Sequence, residues 1–449
     1  MIKLTVILGL VFFINSCSGQ KLSPDKLKDD IDFLVKTYES VHPNLYAYYS
    51  KDSFYCDIDK VKAEIVSPKT ALEFWLLLSP LVNKLGFGHS LIPYSDNFND
   101  NQTKKRVDSY IPITIYIIDT TIFLDDIYVN NSDLIPRGSV ITKINGIDAK
   151  EIIDSLIDYF PGELIDYRRY SIQSYFSRYY SLLFPSKHFK IEYVENDHKK
   201  IAKVKGIKKE VTNKPRIREN YNYSINGKTC LLEYNSCTNK DEFEELIENM
   251  FIQIEKDKVE NLIVDIRKNQ GGNSILNVVL FSRLYNKPFK SLKRNDVKIS
   301  PEIIKRVPSY KRYGVDTIIT RHRDFNQPKE NIFNGNIYVL TSTRTFSSGR
   351  LCALLFKDYG VGKLIGQETG SPASAYGDIY KFNLPYSNLR VYSCFKYFLR
   401  PSGIDDGRGV IPDIEINYSI DDYISGKDLE MEYVTNDIQS TTNHNILYK

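Results

Sequence analysis

The sequence predicts an α/β protein with a helical start, a β-rich middle and a C-terminal half of alternating strands and helices. Three observations predict it. Apolar residues recur at helical spacing through residues 24–90, short strand-like runs crowd residues 107–210, and apolar strands alternate with amphipathic helices across residues 225–420. A chain of 449 residues is too long for one ordinary domain.

The chain opens with Lys3 and an apolar run from Leu4 to Ile14, too short for a membrane span and suited to a signal peptide over residues 1–16. The run ends in "INSC", which resembles a bacterial lipoprotein lipobox. Cleavage before Cys17 would leave a lipid-modified cysteine that anchors the protein in the bacterial cell envelope, facing the periplasm or the outside. An ordinary signal peptide with an incidental Cys17 is the alternative. Residues 17–106 form the helical region. Leu27, Ile31, Leu34, Val35 and Tyr38 share one helix face, with Ser23 as a cap before Pro24. A second, more apolar helix stops at Gly86.

Residues 107–210 read as strands in "YIPITIYIID" and "TIFLDDIYV". There follow a strand "SVITKI", an "NG" turn and an amphipathic helix carrying Ile152, Ile153, Leu156 and Ile157. This stretch resembles the later part of a PDZ-like module, although no glycine-rich loop for a peptide carboxylate is evident. A small β-rich insert with no binding role is the other reading. Residues 211–425 hold the alternating half, including "NLIVDI", a run suited to a strand covered on both faces. The helix "DEFEELIENMFIQIEK" places Phe243, Leu246, Ile247, Met250, Phe251 and Ile254 on one side. Residues 287–335 interrupt the alternation as a basic helical excursion or lid, and residues 426–449 read as a C-terminal tail.

The net charge of +4 is spread along the chain, with no zinc-finger spacing, P-loop or dinucleotide glycine fingerprint, so nothing favours nucleic-acid binding. Cysteines 56, 230, 237, 352 and 394 are odd in number and lack metal-ligand spacing. No obligatory disulfide, metal or organic cofactor is expected.

Four loops carry groups from which a serine hydrolase could be assembled: a nucleophile, a base, an orienting group and two oxyanion donors. "TSTRTFSSGR" places Ser347 and Ser348 between a strand and a helix. There Ser347 either caps the helix or acts as nucleophile, with the Ser348 N–H at an oxyanion. "VDIRKNQGGNS" puts Gly271 and Gly272 at a strand exit, where backbone amides can face a ligand, or where a plain turn precedes the next helix. "LGFGHSL" carries His89 after a glycine turn, as a base or as a structural histidine. "DDGRGVIPDIEI" is a loop of carboxylates and glycines before a strand.

Together the four loops resemble the C-terminal-processing, or tail-specific, serine peptidase family, in its tricorn-core and interphotoreceptor-retinoid-binding-protein-like branch. The family's runs D-G-H-[ST], D-x-R-x-N-x-G-G, T-F-S-S-x-E, G-E-x-T-G and E-G-x-G-V-x-P-D stand here in order. They read F-G-H-S at 87–90, D-I-R-K-N-Q-G-G at 265–272, T-F-S-S-G-R at 345–350, G-Q-E-T-G at 366–370 and D-G-R-G-V-I-P-D at 406–413. The resemblance implies a crotonase/ClpP-like spiral core. It implies Ser347 as nucleophile, His89 as base and Asp406, where Glu is usual, as the orienting carboxylate. It also implies oxyanion amides from Ser348 and from Gly271 or Gly272. The Ser–Lys branch has T-x-G-K, where this chain reads Thr369-Gly370-Ser371-Pro372, so a dyad is not expected. Gly88 stands where a serine can flank the histidine, and Arg350 replaces the usual acid. The implied partners are protein or peptide substrates, with a membrane reached through the lipid anchor. A catalytically inactive binding protein for apolar ligands or peptides is the alternative on the same scaffold.

Overall fold

The computed structural model describes residues 21–99, 103, 106–128, 134–213 and 219–447. The expected signal peptide and Cys17 lie outside them. Among the described residues no helix is long and apolar enough to cross a membrane.

The C-terminal half is built on one six-stranded sheet. Strands Tyr221–Asn226, Thr229–Tyr234, Asn261–Asp265, Asn336–Thr341, Lys363–Gly366 and Ile414–Glu415 lie side by side in chain order. The first pair is antiparallel and every later pairing is parallel. All five residues of Asn261–Asp265 are buried, as a strand covered on both faces must be. Helices Lys240–Asp257, Ile275–Phe281 and Ser348–Tyr359 bury Phe243, Phe281 and Phe356 in the core on one face. The other face is closed by Leu429–Leu447, whose Val434 packs with Ile263, Tyr338, Leu340 and Ile365. Within the expected C-terminal tail, the helix Leu429–Leu447 thus covers the second apolar side of the sheet.

Residues 107–210 form an antiparallel sheet, Ile113–Ile118, Thr121–Ile127, Val140–Ile144, His188–Glu195 and His198–Lys205, with helices Ala149–Ile157 and Ile165–Leu183. The helical region does not end where this sheet begins. Leu27, Trp75 and Leu78 share one continuous core with Ile115, Ile141 and Phe176. That core also takes in Val391 and Cys394, from a third sheet made by Arg294–Lys298, Ile318–His322, Ala375–Asn383 and Arg390–Leu399. The excursion at 287–335 contributes two strands of this sheet, with only short helical turns, Pro301–Arg306 and Pro308–Tyr313, between them.

Candidate active site

Ser347 follows the buried strand Asn336–Thr341 through a turn lashed to the neighbouring strand's exit. The Ser342 hydroxyl donates to Arg267 O at 2.6 Å, the Thr345 hydroxyl to Ile266 O at 2.9 Å, and the Phe346 N–H to Asn269 O at 2.9 Å. The turn delivers Ser347 with φ 51° and ψ −121°, a conformation costly for a residue with a β-carbon. Ser347 precedes the helix Ser348–Tyr359 but makes no side-chain cap bond. Its hydroxyl meets His89 Nε2 instead, at 3.0 Å. That is the distance required between a nucleophile and its base.

His89 is held by a different part of the chain. The segment after Gly86 pairs with the strand Arg390–Leu399 through Leu91 and Tyr392, and the Cys394 N–H donates to the Ser90 hydroxyl at 3.0 Å. The imidazole lies on the ring of Phe346, centroids 4.9 Å apart. Burial lowers the His89 pKa to about 4, helped by the charge of Arg350 and opposed by that of Asp378. The imidazole is thus neutral at neutral pH and free to accept a proton at Nε2.

The two serines have separate tasks. Ser348 donates its hydroxyl to Gly272 O at 2.7 Å, which ties the helix start to the glycine loop. Gly271 has φ 103°, and a β-carbon there would lie 2.7 Å from Ser347 Cβ and 2.8 Å from Ser348 N. Only glycine fits this approach. Sequence reasoning left open which glycine supplies an amide. The Gly271 N–H donates to Asn269 Oδ1 at 2.9 Å, so it is engaged. Among the described residues, the Gly272 and Ser348 N–H groups have no protein acceptor. Both residues line a cavity of about 150 Å³ with Ser347 and His89. They are the donors available to an oxyanion.

Asp406 is not brought to His89. Its loop folds onto Glu368, which accepts from the Gly409 N–H at 2.6 Å and from Arg408 Nε at 3.0 Å. Thr369 secures the same loop by accepting from the Val410 N–H at 2.8 Å. These bonds turn Asp406 outward, where it is exposed and accepts from the Arg408 N–H at 3.0 Å. His89 Nδ1 is sealed from solvent with no hydrogen-bond partner among the described residues.

Two supports were not read from the sequence. Asn269 is fully buried and donates to Tyr234 O at 2.9 Å while holding the Gly271 N–H. Asn277 donates to Ser348 O at 2.7 Å. The asparagine within D-I-R-K-N-Q-G-G was the available signal for the first; Asn277 sits in a helix with no motif to mark it. Among the described residues no group of side chains could hold a metal ion.

Residues 228–416 match the family model described as peptidase family S41. The tricorn protease of Thermoplasma acidophilum is 32% identical over 136 residues, which is 30% of this chain and 12% of that much longer protein. A crystal structure of mature CPAF matches with a TM-score of 0.64 at 12% identity, over 89% of this chain and 94% of that one. Mature CPAF complexed with lactacystin gives 0.66 at 12% identity, over 95% and 99%. These likenesses show a shared mixed α/β fold.

Proposed function

Because this chain belongs to peptidase family S41 through residues 228–416, we propose that it is a serine endopeptidase, exported and lipid-anchored, acting on proteins or peptides. The observation that carries the reading is the 3.0 Å approach of His89 Nε2 to Ser347 Oγ beside two amides without acceptors. His89 removes the Ser347 proton as Oγ attacks a peptide carbonyl. The oxyanion is received by the Ser348 and Gly272 N–H groups, each such donor being worth about 3 kcal/mol. His89 then protonates the leaving amine, and water releases the acyl group from Ser347 by the reverse proton transfers. The anchor reading rests on the layout of residues 1–17.

The test is fluorophosphonate labelling of the purified protein, followed by cleavage of internally quenched peptides. Labelling at Ser347 that disappears in Ser347→Ala and His89→Ala is expected. A folded wild-type protein that neither labels nor cleaves any peptide overturns the reading. Incorporation of radiolabelled palmitate that is lost in Cys17→Ala tests the anchor separately.

A further inference from the structure

The base needs a partner for its second nitrogen, because His89 becomes an imidazolium during the reaction and its Nδ1 is sealed away from water. The structure supplies a carboxylate from an unexpected place. Glu163 lies just before the helix Ile165–Leu183, far from the other site residues in sequence. Part of the residue reaches solvent, but both carboxylate oxygens are sealed and neither has a well-formed hydrogen bond among the described residues. The nearby backbone N–H groups of Gly88 and of Glu163 itself are the donors that favour its charged form. Glu163 Oε2 lies 3.0 Å from the point a β-carbon on Gly88 would occupy, so the carboxylate fills the space beside the residue that precedes His89. Arg350, also buried, donates one bond to Ala373 O at 2.6 Å and leaves its Nε unpartnered. His89 Nδ1, the Glu163 carboxylate beside Gly88 and the Arg350 guanidinium are thus three groups of complementary type sealed in one buried region, and leaving each unpaired would cost free energy.

We propose that Glu163 is the positioning carboxylate of His89, fixing the Nδ1–H tautomer and balancing the imidazolium charge, with Arg350 as the buried counter-charge. The proposal rests on the serine peptidase reading. In the step, the proton of Ser347 Oγ moves to Nε2, Nδ1 keeps its own proton, and the Glu163 carboxylate carries the matching negative charge. Burial raises the Glu163 carboxyl to about 7, so both of its forms are populated near neutral pH. The groups facing it are Arg350, Tyr48, Tyr167 and Cys394; those facing His89 are Arg350 and Asp378. A base lowered as far as His89 is a weak proton acceptor, and an ionised carboxylate beside it raises its basicity when the proton arrives.

The test compares wild type with Glu163→Gln, Glu163→Leu and Asp406→Asn. The imidazole nitrogens are read at neutral pH by ¹⁵N NMR of histidine-labelled protein, with His89→Gln identifying the signal. We expect a single Nδ1–H tautomer in wild type and in Asp406→Asn, and a mixture in Glu163→Leu. Glu163→Gln still offers an acceptor oxygen but no charge. It is expected to keep the tautomer while its fluorophosphonate labelling slows at least about 10-fold. A residue with a merely structural role would change neither reading in the folded Glu163→Gln variant. Unchanged tautomers in Glu163→Leu, or mixing in Asp406→Asn instead, overturns the proposal. If Glu163→Leu does not fold, an unslowed Glu163→Gln overturns it. A wild type that never labels removes the peptidase reading while the spectra still decide the pairing of His89 with Glu163.

Discussion

The imidazole of His89 lies face to face with the ring of Phe346, at 4.9 Å and an interplanar angle of 25°. Phe346 lies in turn on Tyr167, at 4.5 Å and 10°. The plane of the base is thus set by a three-ring pile drawn from the segment after Gly86, the nucleophile turn and the helix Ile165–Leu183. Replacing the middle ring by a smaller apolar side chain should leave a folded protein with a looser base. Phe346→Leu is expected to slow labelling of Ser347 about 10-fold, since small misplacements of a reacting pair are expensive in rate. Labelling kinetics beside a thermal melt separate that effect from simple destabilisation.

The pH dependence follows from the same environment. His89 must be neutral to act as base, and burial lowers its pKa to about 4. In Glu163→Gln, where that carboxyl no longer titrates, the labelling rate should therefore hold from neutrality down to about pH 5 and fall as pH drops through about 4. Wild type should show a further partial decline at about pH 7 as Glu163 gains its proton. An ordinary histidine would already fail near about pH 6.5. A half-maximal rate at that higher value in Glu163→Gln would show that His89 is more solvated than the structure places it.

Much of this site was legible because its parts are backbone features with local signatures. A strand exit followed by two glycines, and a serine pair before a helix, each also fit a plain turn or cap, and it is the resemblance of the motifs taken together that singles out Gly271, Gly272, Ser347 and Ser348. Side chains placed by long-range packing were not legible. Glu163 precedes a helix and carries no motif, yet it reaches Gly88 through the shared core of the helical region and the β-rich module. Asp406 sits in a recognisable run but is turned away by Glu368 and Thr369, contacts that no spacing encodes. The shared core that runs across the boundary expected near residue 106 was not legible for the same reason, because burial and not composition decides where a core ends.

Gly271 offers a sharper test than either serine hydroxyl. A β-carbon there would stand 2.7 Å from Ser347 Cβ, on a backbone at φ 103°. Gly271→Ala should cost at least about 100-fold in labelling rate, comparable to losing an oxyanion donor. Ser348→Ala keeps its N–H and loses only the 2.7 Å bond to Gly272 O, so a drop of less than about 10-fold is expected. Equal losses in the two variants would show that the Ser348 hydroxyl does more than tie the loops together.

Stability should decline in mild acid. His42 is buried between Phe87 and Tyr376, accepts from the Asn44 N–H through Nδ1, and has its pKa lowered to about 3 by burial and by Lys298. His89 is lowered as well. Both are depressed below the ordinary value of about 6.5, so the unfolded chain takes up protons that the native state refuses. Native stability is therefore full above about pH 6.5 and is lost as pH falls toward about 4. Glu163, raised to about 7, acts in the opposite sense, adding stability as pH falls toward the ordinary glutamate range. Urea melts from pH 7.5 to 5 should show the decline, and His42→Asn should flatten it.

The D-I-R run has a structural meaning of its own. Arg267 Nη2 meets Asp265 at 2.7 Å, while Nη1 reaches Asp428 at 2.6 Å and Glu430 at 3.1 Å, at the start of the helix Leu429–Leu447. Asp265 and Glu430 are nearly sealed, at 8% and 3% side-chain exposure, so removing the guanidinium strands two buried carboxylates. The loss should be about 3 kcal/mol, the cost of breaking a buried pair from one side. The helix it anchors covers Ile263, Tyr338, Leu340 and Ile365 on the sheet that carries the active-site loops. Arg267→Leu is therefore expected to lower the urea midpoint and to speed hydrogen exchange first in residues 429–440. Slower labelling of Ser347 should follow only as far as the helix detaches. Uniform destabilisation with no early exchange in that helix would mean that its apolar face, and not Arg267, holds it in place.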